Sequence, residues 1–210
     1  MDIHAPHDPV HSWKEVARHL AIITAGVLIA LAFEGVVSWV DHRILVREAV
    51  ANLRREMGDN ARELEGLFAN VEQEAKNLEH AGEIAQLLLD HKKLGHVTLN
   101  LEFHGAELKN ASRTTAEVTG AFGHMDYADV EKYASIYSLQ ELFDRAQNRT
   151  NESFVSALAG VRMLTEAEKA DPQQVRQWQT QIRVTLAALV VEEQIGRQLQ
   201  KRYHEALERR

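Results

Sequence analysis

Apolar residues are distributed along this chain in three distinct ways, and each predicts a different kind of element. Residues 20–33, LAIITAGVLIALAF, carry no charge, and after Glu34 the run GVVSWV extends the apolar stretch to Val40. As a helix rising 1.5 Å per residue, residues 20–40 span roughly 31 Å, close to the hydrocarbon thickness of a bilayer. Trp13 and Trp39 stand near the two ends, where interfacial tryptophans belong. Two other readings fit the same pattern. A short apolar run also suits a buried core helix, and Lys14, Arg18 and the triplet Ala30-Leu31-Ala32 have the form of a signal peptide with its cleavage site. Against cleavage, the apolar run passes that triplet without a helix breaker and continues into VDHRILVREAVANLRREM. An uncleaved membrane anchor is therefore the expectation.

The second pattern begins where the first ends. Val50, Met57, Leu64, Val71, Leu78 and Ala85 recur as position a of a heptad, and Leu53, Leu67, Ala81 and Leu88 fill d beside the polar Asn60 and Glu74. Ala61, Phe68, Ala75 and Leu89 at e widen the stripe beyond a two-stranded seam, as in a helix packed within a bundle. A very long helix is predicted, with Gly58 its weak point.

In residues 94–110 the period changes to two. Val97, Leu99, Leu101 and Phe103 alternate with Thr98, Asn100, Glu102 and His104, which predicts an extended segment. A lone strand has unpaired edges, so the segment must lie along the helices as a loop, pair with a copy of itself, or be helical after all. Helical spacing then returns. One helix is predicted from about Ala111 to Phe122, and another from an Asp126 cap to about Lys169, loosened in its middle by NRTNES at residues 148–153. Asp171 before Pro172 marks the start of a last helix, carried by Val175, Trp178, Ile182, Leu186, Leu189, Leu199, Tyr203 and Leu207. The expected fold is all-α: a polar tail over residues 1–19, a transmembrane helix over 20–40, and an antiparallel bundle of three or four helices over 41–210.

Composition agrees with long regular elements, since 45% of residues are hydrophobic and only 3 are proline. A net charge of −7, with Lys and Arg interspersed among Glu, disfavours nucleic acid as a partner. The absence of cysteine removes disulfides, thiolate nucleophiles and Cys-based zinc sites and leaves the compartment open. The side of the membrane is open too. Arg43, Arg47, Arg54 and Arg55 outnumber Lys14 and Arg18, which places the C-terminal domain in the cytoplasm, whereas a short polar tail before one apolar helix usually behaves as a signal anchor and exports the domain behind it.

Candidate chemistry is sparse. Gly26, Ala30 and Glu34 share one face of the anchor, a small-residue stripe that permits close pairing of two helices; an intramembrane carboxyl is a functional candidate, and snorkelling to the headgroups is its bland explanation. Phe122, Tyr127, Tyr133 and Tyr137, with Phe143, surround the Gly120 and Gly123 turn and either line a small pocket or simply pack. His4, His7 and His11 with Asp2 and Asp8 have metal-like spacing, but Pro6 and Pro9 break any helix there, and His91, His96 and His104 form a looser set; no metal site is expected. The pairs Glu72 with Glu74 and Glu192 with Glu193 read as solvated faces. No G-x-S-x-G elbow, HExxH, Walker A or G-x-G-x-x-G occurs, so neither an enzyme nor a cofactor is expected.

HSWKE at residues 11–15, GVLIAL at 26–31, then Glu34 and Trp39, together with TAEVTGAFGHMDYADVEKYASIY at 115–137, resemble a group of uncharacterised bacterial proteins with one membrane anchor and a helical domain of unknown function. The resemblance covers about a quarter of the chain. It implies a Gram-negative inner-membrane protein and supplies no active-site residues. Two functions fit the sequence: an interaction or scaffold protein held at the lipid bilayer, pairing as a homo-oligomer and presenting a surface to an unidentified protein partner, or a ligand-responsive envelope sensor whose pocket lies near Tyr127 and Tyr137.

Overall fold

The computed structural model describes residues 13–208 except 93 and 96, and only the backbone of 166–169. It contains four α-helices, α1 (Trp13–Leu89), α2 (Ala111–Val118), α3 (Tyr127–Val161) and α4 (Pro172–Glu208), with 3-10 turns at Ala121–His124 and Arg162–Lys169. No strand occurs among the described residues. The chain divides into two compact units, residues 1–48 and 49–210, and α1 contributes to both.

In the first unit α1 is already helical at Trp13, ahead of the apolar run. Its most apolar 18-residue window has a mean hydropathy of 2.4 and is 0% buried, and by length and composition it can cross a membrane. A core helix would hide one face in protein. Leu20, Ile23, Leu28, Ile29, Phe33 and Trp39, spread around the helix, are all more than half exposed. The Arg43 guanidinium stacks over the Trp39 ring at 4.9 Å, which offsets part of the cost of holding a cation beside an apolar segment.

The second unit is an all-α bundle. The heptad stripe of α1 is the buried one: Leu53, Met57, Leu64, Leu67, Val71, Leu78 and Ala81 face inward, and Gly58 leaves the helix unbroken. In α4 the buried positions Ile182, Thr185, Leu189, Glu192, Gly196, Leu199, Tyr203 and Ala206 alternate spacings of three and four without a slip. The pairs Asn60/Tyr203, Phe68/Gly196, Gly82/Ile182 and Gln86/Gln179 advance along α1 as they retreat along α4, so these two helices are antiparallel. Glu56/Tyr137 and Asn60/Gln140 advance together, so α3 is parallel to α1. α3 and α4 meet at Gly160, where the Trp178 indole occupies the space of a side chain and donates Nε1–H to Ala157 O at 2.8 Å.

The helix ends explain the boundaries. α1 stops in a Schellman motif: Lys92 N–H bonds Leu87 O at 3.0 Å, His91 N–H bonds Leu88 O at 3.1 Å, and His91 takes φ 53° without being glycine. α2 ends earlier than its hydrophobic pattern suggests because Gly120, at φ 73°, turns the chain into the 3-10 turn. Asp171 caps α4 as expected, accepting from Gln173 N–H at 2.9 Å with Pro172 in the first helical position. At its other end Arg54 of α1 donates to the carbonyls of Ala206 and Leu207, satisfying groups that a helix leaves unpaired. The NRTNES stretch does not loosen α3; Thr150 and Ser153 are buried, and the Thr185 hydroxyl bonds Ser153 O at 3.0 Å.

Segment 94–110 is a loop laid along the bundle. Its period-two pattern survives as alternating burial, with Leu101 inside, Val97, Leu99 and Phe103 partly covered, Thr98, Asn100 and Glu102 outward, and His104 half-exposed with its ring Nδ1 on Glu74. Phe103 packs on Phe154 of α3 with ring centroids 5.4 Å apart.

Candidate functional site

Polar side chains enter the bundle core at two levels. At the first, two residues of α1 hold the loop's end. Asn60 behaves as a strand neighbour would: its Oδ1 accepts from Lys109 N–H at 2.8 Å and its Nδ2 donates to Lys109 O at 2.8 Å. Gln140 Nε2 also donates to Lys109 O, at 3.2 Å, and the Tyr203 hydroxyl donates to Gln140 Oε1 at 2.7 Å. One turn earlier, Glu56 Oε1 accepts from the Tyr137 hydroxyl at 2.6 Å and Oε2 from Ser112 N–H at 2.7 Å. Every partner at this level is satisfied. Burial pushes the Tyr137 and Tyr203 phenols well above their ordinary range, with the Glu56 carboxylate adding to the effect on Tyr137.

The second level is not balanced. Glu74 on α1 is 3% exposed, and its Oε1 accepts from both the backbone N–H of His104 at 2.9 Å and the ring Nδ1 at 2.8 Å, while Oε2 has no partner. Glu192 on α4 is 1% exposed, and neither of its oxygens has a hydrogen-bond partner. The antiparallel register puts the two carboxyls at one level, between the Phe68/Gly196 and Gly82/Ile182 pairs. Burial lifts Glu192 to about 7; the Thr150 hydroxyl opposes that rise and the Glu74 charge adds to it. Thr150 is itself bonded to Ala146 O at 3.1 Å.

A scan against protein-family models found no match for this chain, and neither the curated proteins nor the solved structures gave one. The site is therefore read from its own chemistry.

Glu74 and Glu192 correct the expectation that their pairs are solvated faces: Glu72 is exposed, but Glu74 and Glu192 lie in the core. The spacing held the signal, since Glu74 occupies d of the α1 heptad and Glu192 falls seven residues after Thr185 and seven before Leu199. Among the aromatic candidates, Tyr133 and Tyr137 are fully buried with Phe143, Phe122 is half-buried, and Tyr127 is 82% exposed and stands apart from them. Gly26, Ala30 and Glu34 are exposed along the first part of α1, and nothing lies within 4 Å of a Cβ built on Gly26. His4, His7, His11, Asp2, Asp8 and His96 lie outside the described residues, and no group of three metal-ligating side chains occurs among the described ones.

Proposed function

We propose that this chain is a membrane-tethered interaction protein, in which the apolar part of α1 lies in the lipid bilayer and the bundle of residues 49–210 presents a folded surface to a protein partner. The observation that carries this reading is the exposure of the whole 20–40 segment around its circumference in a chain whose other hydrophobic stripes are buried. Such a surface is stable in hydrocarbon and unfavourable in water. The sequence resemblance supports a bacterial inner membrane as the site. Pairing of two copies through Gly26 and Ala30 belongs to the same proposal, because that face admits another backbone at close range. A ligand-responsive sensor has less support, since Tyr127 lies on the surface and the Tyr137 hydroxyl is already bonded to Glu56.

The test is fractionation of full-length protein with a reporter fused after Arg210, alongside a pairing assay in membranes. The expected result is a chain of full mass that resists alkaline extraction, with pairing weakened by Gly26→Ile. Release into the soluble fraction overturns the tether, and a monomer at every protein-to-lipid ratio overturns the pairing.

A further inference from the structure

We propose that Glu192, buried beside Glu74, is a proton-binding site inside the bundle, and that loss of its proton releases the loop around His104 from α1.

Among the described residues, three buried carboxylate oxygens have no hydrogen-bond partner: Glu74 Oε2 and both oxygens of Glu192. Native cores pair or neutralise such groups, because an ionised carboxylate out of water without a partner is unfavourable by far more than a neutral one. Among the described residues, the elements around Glu192 offer no cation for it. α1 presents another acid, Glu74. α3 presents the Thr150 hydroxyl, which opposes the rise of Glu192 but carries no charge and also bonds Ala146 O, and Gln147, whose amide bonds both the N–H and the carbonyl of Ala106 at 2.7 and 3.0 Å. On α4 itself Arg197 turns to Glu193 at 2.6 Å and stacks on the Phe68 ring at 4.6 Å. The loop offers His104, whose backbone N–H and ring Nδ1 are both directed to Glu74 Oε1. A proton on Glu192 removes the unpartnered charge and leaves a neutral carboxyl beside Glu74, which burial and a neighbouring like charge both favour.

Release of the loop is a consequence of how the pair is covered. Three walls are long helices, and the fourth is the loop, attached here by the two bonds of His104, by Phe103 on Phe154 and by the buried Leu101 side chain. When the proton leaves, two negative charges need water. Displacing residues 101–104 admits it without unfolding a helix, so this is the path of least resistance.

Hydrogen exchange of the full chain in detergent micelles, corrected for the intrinsic pH dependence of exchange, tests the proposal on peptides covering 97–106. From about pH 5 the protection should fall with a slope approaching roughly tenfold per pH unit and level off once Glu192 is ionised. Glu192→Gln, which keeps shape and removes the titration, should flatten the curve, and Glu74→Gln gives a second variant should the first fail to fold. Flat protection in the unmodified chain overturns the proposal, as does the same slope in both variants. Protection restored at high pH by Mn²⁺ or Zn²⁺, and only while Glu192 is present, overturns it as well by making the occupant a divalent cation.

Discussion

The Tyr137 hydroxyl donates to Glu56 Oε1 at 2.6 Å, and the carboxylate's other oxygen holds the amide at the start of α2. Both groups are buried, so neither has water as a substitute. Tyr137→Phe should destabilise the bundle by about 1–3 kcal/mol, the usual effect of leaving a buried acceptor unmatched. Urea unfolding followed by far-ultraviolet circular dichroism measures it. An unchanged midpoint would mean that the bond contributes nothing net.

Two glycines in helices predict opposite responses. A Cβ on Gly160 would fall within the Trp178 indole, whereas one on Gly66 meets nothing within 4 Å. Gly160→Ala should lower stability by about 1–3 kcal/mol through forced repacking, and Gly66→Ala should raise it by about 0.5–1 kcal/mol through backbone entropy. Thermal melts of the two variants under one condition compare them.

His91 holds the left-handed turn that closes α1. His91→Gly removes the Cβ conflict of that conformation and should stabilise by about 1 kcal/mol. A destabilised variant in equilibrium unfolding would show that the imidazole makes a compensating contribution.

Stability should depend on pH through Glu192. The folded protein binds this proton more tightly than the unfolded chain does, with a value of about 7 against an ordinary 4.5. Its contribution is therefore complete below the ordinary carboxylate value, declines as pH rises, and is gone above about 7. The decline is on the order of 3 kcal/mol. Unfolding midpoints measured from about pH 5 to pH 8 should fall in the unmodified chain and stay more nearly level in Glu192→Gln, which should be the more stable of the two at the alkaline end.

Much of the architecture is written in local pattern. The α1 heptad and the alternation of 97–104 survive as burial and the Asp171-Pro172 start of α4 as a cap, because period and capping act over a few residues and need no knowledge of the partner. The boundary of α2 was hidden because the backbone geometry of Gly120, and not hydrophobicity, ends the helix. The site was hidden for a different reason. A carboxylate at core spacing reads as solvent-facing unless the opposite helix is known, and Glu74 and Glu192 are separated by more than half of the chain. Their lack of satisfaction exists only in three dimensions.

The ties on the loop after α1 lie late within it. Glu74 grips His104, Asn60 grips Lys109 and Glu56 grips Ser112, all from α1. A single cleavage near Asn100 would leave these three grips spanning the cut, along with the α1 stripe buried among α3 and α4. The severed protein would remain one particle, and the two fragments, synthesised separately, have the complementary surfaces needed to reassemble.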